Sequence, residues 1–203
     1  MAGVAPKFSP LDVARALIHL EDRPLSRVEV MELLGLGEGS VRSVLDELKQ
    51  KGWVASSRQG HTISKAGLKV KTEIMDRIQG PHDVKCGIFS NPFCSGITVR
   101  KPKMAPDPVK LRDVALKWGA EAALVLVMKE NKLTAPGAEQ RIDLKGADQS
   151  LRPSEGDIVI IAFADSRSAA ETSALAAALR ADPWLRKLIA HKFGGDKKGV
   201  PLP

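Results

Sequence analysis

Apolar residues recur at three- and four-residue spacing along the first eighty positions. Val13, Leu17 and Leu20, with Ala14 and Ile18 beside them, form one stripe. Val30, Leu33 and Leu34 form a second, and Val41, Val44, Leu45 and Leu48 a third. Each spacing predicts a helix that buries one face. The starts are marked as well. Ser9, Pro10 and Asp12 make a capping box with proline at the first helical position, and Phe8 and Val13 are spaced as a hydrophobic staple. Ser26 with Glu29, and Leu25 with Val30, repeat that signal. The residue before Pro24 is pushed out of helical conformation, which ends the first helix. Residues 35–39 read as a glycine-rich turn, with Ser40 as the cap of the third helix. After Gly52 the period changes to two. Residues 53–57 and 61–64 read as short strands around Arg58, Gln59 and Gly60, and "SKAG" opens a fourth helix carrying Val70, Ile74, Met75 and Ile78.

"QGPHD" interrupts the pattern and sets an expected boundary, giving a first domain over residues 1–80. Beyond it, "VKCGIFS" and "SGITVRK" read as a strand pair around "NPFC". A helix capped by Asp107 follows, with Pro108 at its first position and Leu111, Val114, Ala115 and Trp118 inward. Gly119 ends it in left-handed geometry. "AALVLVM" and "GDIVIIAFA" are nearly unbroken apolar runs, the mark of strands covered on both faces. "KENKL" turns into a short strand, and "RIDL" reads as another. The last helix is expected to start at Ser168, with Glu171 completing a capping box, and to bury Thr172, Leu175, Ala176 and Leu179. This order predicts a mixed sheet with helices on one side over residues 81–185, then a basic tail over 186–203. The fold class is α+β: a helical domain with a hairpin, then a small mixed α/β sandwich.

Charge narrows the partners. The 203 residues carry 31 Lys and Arg against 24 Asp and Glu, a net +7. Such a field favours a polyanion. The first 80 residues hold 12 basic and 10 acidic groups, however, so nucleic-acid binding there must rest on local placement. The sequence has no apolar run long enough for a bilayer and no secretion signal, so a cytoplasmic protein without membrane contact is expected. Cys86 and Cys94 are the only cysteines. A bridge between them is geometrically conceivable, but reduced thiols fit an intracellular chain better. They also lack nearby histidines at ligand spacing, so neither a metal nor another cofactor is expected. The phosphate loop, the nucleophile elbow and the zinc helix of common enzyme classes are absent. His19, His61, His82 and His191 are scattered.

The markers "SVRSVLDELKQKGWV" and "HTISKAG", at helix-to-hairpin-to-helix spacing, resemble the winged-helix domains of prokaryotic transcription regulators. The resemblance covers residues 9–79. Together with "LRDVALKWGAEAALVLVMKENKLTAPG", the chain is similar to a poorly characterised archaeal family that joins a winged helix to a small α/β domain. The resemblance implies a regulator that binds double-stranded DNA, with a second domain for sensing a small molecule or for dimerisation. Its third helix would turn Ser40, Arg42, Ser43, Asp46, Glu47 and Lys49 toward a major groove. Arg42 is the candidate for a guanine edge, and Ser40 and Ser43 for a base or a phosphate. Arg58, Gln59 and His61 at the wing would reach backbone or minor groove, and Lys65 a phosphate. Two alternatives stand beside this reading: an enzyme acting on a small anionic substrate with an appended winged helix, and a protein-interaction module.

One further stretch carries candidate chemistry. Ser166, Arg167 and Ser168 lie where a buried strand meets a helix start, a place suited to a small anionic effector. The simpler reading makes Ser168 a cap and Arg167 a surface residue. The basic tail holds Arg186, Lys187, Lys192, Lys197 and Lys198, and the run "VRKPK" holds Arg100, Lys101 and Lys103. Either could grip phosphate without sequence preference or simply be solvated. Two-fold pairing of chains, a homodimer, would match a palindromic site.

Overall fold

A computed structural model describes residues 8–85, 88–102, 107–136, 144, 147–194 and 202–203. The chain divides into two compact units, one of residues 1–73 with 189–201, the other of residues 74–188 with 202–203.

The first unit opens with α1 (Pro10–His19), α2 (Arg27–Leu34) and α3 (Glu38–Gln50), which pack on one another. Both expected capping boxes form: Ser9 with Asp12, and Ser26 with Glu29. The Glu29 carboxyl accepts from the Ser26 N–H at 2.7 Å and from Arg23 at 2.9 Å. The backbone bond to Ser26 is the main reason its pKa falls from 4.5 to about 2. Helix α1 differs from the single-stripe expectation, because every residue from position 10 to 18 is buried. Its apolar residues cover most of the circumference, and a helix apolar all round belongs inside.

The polar members of α1 are therefore buried too. Arg15 is fully inaccessible, donates to Asp12 Oδ1 at 3.1 Å and reaches the Leu34 carbonyl at 3.4 Å. It thus joins the first turn of α1 to the last carbonyls of α2. Helix α2 ends one residue later at Gly35 in left-handed geometry, φ 62°. That conformation suits glycine because it has no Cβ to clash.

Strands β1 (Val54–Ser57) and β2 (Gly60–Ile63) form the expected antiparallel hairpin, and α4 (Lys65–Met75) follows. Ser64 caps α4, its hydroxyl accepting from the Gly67 N–H at 3.0 Å while donating to the Gly52 carbonyl at 2.6 Å. Gly67 is required by space: a Cβ there would lie 2.2 Å from the Trp53 carbonyl oxygen. Lys71 Nζ donates to the Leu20 carbonyl at 2.8 Å, tying α4 to the end of α1.

The second unit holds β3 (Ile78–Asp83), β4 (Phe93–Val99), α5 (Pro108–Lys117), β5 (Ala122–Lys129), β6 (Lys132–Thr134), α6 (Ala147–Leu151), β7 (Ile158–Ala164) and α7 (Arg167–Ala181). The sheet order is β3-β4-β7-β5-β6, and every neighbouring pair is antiparallel. The α+β class stands, but the sheet is not mixed. Strands β4 and β5, joined through α5, run in the same direction, and β7 inserts between them antiparallel to both. β7 is buried along its whole length, as expected, and β5 is buried on both faces only in its middle, at Ala123, Val125 and Leu126. The β5–β6 turn places Glu130 and Asn131 at φ 52° and 57°, the geometry of a tight two-residue hairpin.

Helices α5 and α7 contact each other and share one face of the sheet. On the other face Val159, Ile161 and Phe163 pack with Leu151 of α6, Leu126 and Val84, and Cys94 lies against this cluster. Cys86, its expected neighbour, and the first three residues of "RIDL" lie outside the described residues. Buried Asp157 accepts from Arg100 at 2.8 Å and from the Ser154 and Lys101 N–H groups at 2.8 and 3.1 Å, joining the end of β4 to the start of β7.

Three other expectations change. "QGPHD" is not a break but most of β3, with Pro81 on the edge strand where it removes no ladder bond. The strand assigned to "VKCGIFS" therefore lies earlier in the chain. The segment read from its charge as a tail begins inside α8 (Pro183–Phe193). Asp182 starts that helix by accepting from the Trp184 and Leu185 N–H groups at 3.0 and 3.2 Å, while its other oxygen takes Arg77 at 2.6 Å. In the first unit Phe193, fully buried, meets the Trp53 ring edge-on at 5.1 Å.

Substitutions at two positions test these supports by urea denaturation of the full chain. Arg15→Ala removes the charged partner of a buried carboxylate and leaves a cavity, and is expected to lower stability by about 3–5 kcal/mol, while Arg15→Met retains the volume and loses less. Gly67→Ala is expected to lower stability by roughly 1–3 kcal/mol, because α4 must move off the Trp53 carbonyl.

Candidate nucleic-acid interface

Helix α3 begins at Glu38, two residues before the expected cap. Gly37 occupies the capping position in extended geometry without a side-chain bond, and Ser40 is the third residue of the helix. Glu38 in the first turn offsets the missing cap, since a carboxylate there meets the positive end of the helix dipole. Val41, Val44, Leu45 and Leu48 are buried as expected.

Helical geometry then sorts the exposed positions. Successive residues turn by about 100°, so Ser40 and Arg42 stand on opposite flanks of α3. Gly39, Ser43, Asp46 and Gln50 form the outward ridge between them. Arg42 and Lys49, seven apart, share one flank. A shallow open depression runs along the ridge, lined by Ser43, Asp46, Glu47, Gln50 and Lys51. The Ser43 hydroxyl donates back to the Gly39 carbonyl at 3.1 Å.

The basic flank is wider than α3. Glu38 holds two guanidinium groups, Arg42 at 3.2 Å and Arg27, the first residue of α2, at 3.3 Å. Asp46 holds Lys49 at 2.6 Å. That hydrogen bond is the largest cause of a lowered Asp46 pKa, and the charges of Lys49, Arg42 and Arg27 add to it. The sequence reading missed Arg27. A cation directly after an N-cap opposes the helix dipole, and that unfavourable placement was the available signal.

His61 faces the same field from the hairpin. Its backbone exchanges two hydrogen bonds with Leu25, at 2.9 and 2.8 Å, which fixes β2 just ahead of α2. Its Nδ1 lies 2.7 Å from the hydroxyl of its cross-strand partner Ser56. Partial burial first, then the charges of Lys49 and Arg27, pull its pKa below the ordinary 6.5, against a smaller opposing effect of Asp46. The fold thus brings together Arg42, Lys49 and His61, with Arg27 added. Arg58 and Gln59 stand exposed at the hairpin tip, and Lys65 is exposed at the first position of α4.

The expected effector position is built differently. Ser166, not Ser168, caps α7, its hydroxyl accepting from the Ala169 N–H at 3.2 Å. Ser168 is the second residue of the helix, and Glu171 lies too far along to complete a box. Arg167 is paired with Asp83 of β3. The cap and the charge at this corner are therefore both engaged within the protein. Among the described residues, no group of three His, Cys, Asp or Glu side chains could hold a metal ion, and no helix is long and apolar enough to cross a membrane.

Comparison with known proteins places both units among relatives without assigned activity. Residues 11–69 match the model of the PH0730-like N-terminal domain, and residues 91–181 match a domain of unknown function, DUF4443. No curated protein matches the chain. Among solved structures it is similar to the hypothetical protein PH0730 from Pyrococcus horikoshii OT3, with 25% identity and a TM-score of 0.74. That likeness covers 90% of this chain and 100% of the other. Taken together, the matches fit a two-domain archaeal family.

Proposed function

We propose that the chain is a transcription regulator that binds double-stranded DNA through a winged helix formed by α1 to α4 and the β1–β2 hairpin. The observation that carries this reading is that Arg27 of α2 and Arg42 of α3 meet at Glu38, with Lys49 on the same flank of α3 and His61 of the hairpin paired to Leu25 just ahead of α2. Such a cluster suits phosphate oxygens, which bind guanidinium groups by the same forked geometry as carboxylates. Glu38 and Asp46 occupy the cations in the free protein, so a phosphate must displace them. Arg42 then acts first as a backbone contact, while Ser43, Asp46 and Gln50 on the outward ridge offer hydrogen bonds to base edges. Ser40 faces away from that flank and is left out of the contact set.

For the second unit we favour pairing of chains over effector sensing. A two-fold dimer would present two α3 helices to a palindromic operator, whereas Asp83 already satisfies the one cation at the candidate anion corner. A cytoplasmic location follows from the DNA reading. The enzyme and docking-module alternatives lack an observation of comparable weight.

Duplex affinity is tested by fluorescence anisotropy on fragments of the protein's own upstream region. Arg42→Glu is expected to weaken binding at least about tenfold and to flatten the salt dependence by about one unit of slope. Glu38→Gln is expected to strengthen it by roughly threefold, the scale of one exposed ion pair. Binding by both variants equal to the wild type, or binding indifferent to added salt, would reject the interface.

A further inference from the structure

His61 is the one group in the basic cluster able to change its charge near neutral pH. Its surroundings come from every element packed against it. Lys49 and Asp46 approach from α3, Arg27 from α2 and the Ser56 hydroxyl from β1. The backbone pairing with Leu25 fixes this strand beside the start of α2, and the contact with the Ser56 hydroxyl orients the ring within this field.

In the free protein two cations and partial burial disfavour the imidazolium. A polyanion reverses the balance. A phosphate seated on Arg27, Arg42 or Lys49 neutralises the cations that repel a proton and adds a negative charge that attracts one. From this geometry we infer that duplex binding is coupled to proton uptake at His61, so that DNA is held more tightly as pH falls. The inference rests on the DNA-binding reading above and extends it to regulation of the same site.

The sign follows from linkage. The complex has the higher His61 pKa, so affinity is lowest above that value. It rises as pH falls through the bound pKa and levels off below the free one. Each unit of difference between the two corresponds to a tenfold change in affinity. Asp46 does not supply the effect, because its pKa lies below the ordinary carboxylate value and it stays ionised across this window.

The experiment measures duplex affinity at constant ionic strength from about pH 8 to pH 5.5 for the full-length wild type and for His61→Gln. In parallel, the His61 ring is titrated by NMR with and without a duplex. We expect wild-type affinity to rise on the order of tenfold over this range, for a pKa rise of about one unit. We expect the variant to stay nearly flat and the ring to titrate higher in the complex. Equal pH dependence in wild type and variant, or an unshifted ring titration, overturns the proton coupling and leaves DNA binding standing. Absence of duplex binding at every pH overturns both. The half-exposed ring makes a folded variant the expectation, and matching thermal melts establish it.

Discussion

The first unit depends on a charge that has no access to water. Arg15 is inaccessible, and its pairing with Asp12 and its approach to the Leu34 carbonyl help make that burial tolerable. An isolated guanidinium in that position would cost several kcal/mol. The constraint is directional as well as energetic. A guanidinium fork accepts partners only in its plane, so the first turn of α1 and the last turn of α2 must take one relative position. Gly35 follows immediately, and the three-residue connection to α3 starts from that fixed end. An apolar residue of similar volume would fill the space without this requirement. The polar choice therefore bears on where α3 emerges, which matters for a helix whose flank is its candidate working surface.

Local pairing, rather than net charge, shapes that surface. The first 80 residues are nearly balanced in charge, yet Arg27, Arg42 and Lys49 fall together while Glu38 and Asp46 sit among them as counterions. In the free protein these are exposed ion pairs, individually weak and readily exchanged. A multivalent phosphate backbone can replace them all at once, which a monovalent salt ion cannot. The carboxylates thus reduce the attraction for any anion, and proportionately less for one that engages several cations together.

Much of this was legible in the sequence where the signal was local. The capping boxes at Ser9 and Ser26, the four inward residues of α3, the hairpin and the Asp107–Pro108 helix start all form as read. Each depends on contacts within one or two turns. Ser40 shows the limit of that logic. A serine is a strong cap, but Gly37 already gives the extended conformation and Glu38 supplies charge for the helix end, so α3 starts earlier. At "QGPHD", proline and glycine look like a break in isolation. An edge strand accepts both, and only the pairing with β4 reveals the edge. α8 was within reach, since Asp182–Pro183 repeats the Asp107–Pro108 signal. Lysine and arginine are dense after it, yet Leu185, Ile189 and Phe193 mark a buried stripe at helical spacing. Arg27 belongs to a third kind: its role appears only when the first residue of α2 and the first turn of α3 meet at Glu38.

The two candidate anion corners of this protein show why position in the chain does not suffice to define a site. Both stand at helix starts and both carry arginine. At α7 the hydroxyl of Ser166 satisfies the backbone, and Asp83 on a strand of the sheet satisfies Arg167. At α3 the competing carboxylates sit on the same exposed helix as Arg42 and Lys49 and can turn away without disturbing the fold. Three cations then converge where at α7 there is one. Convergence of several cations from two helices, rather than the presence of an arginine at a helix start, is the physical difference between the candidate surface at α3 and a helix end that is merely capped.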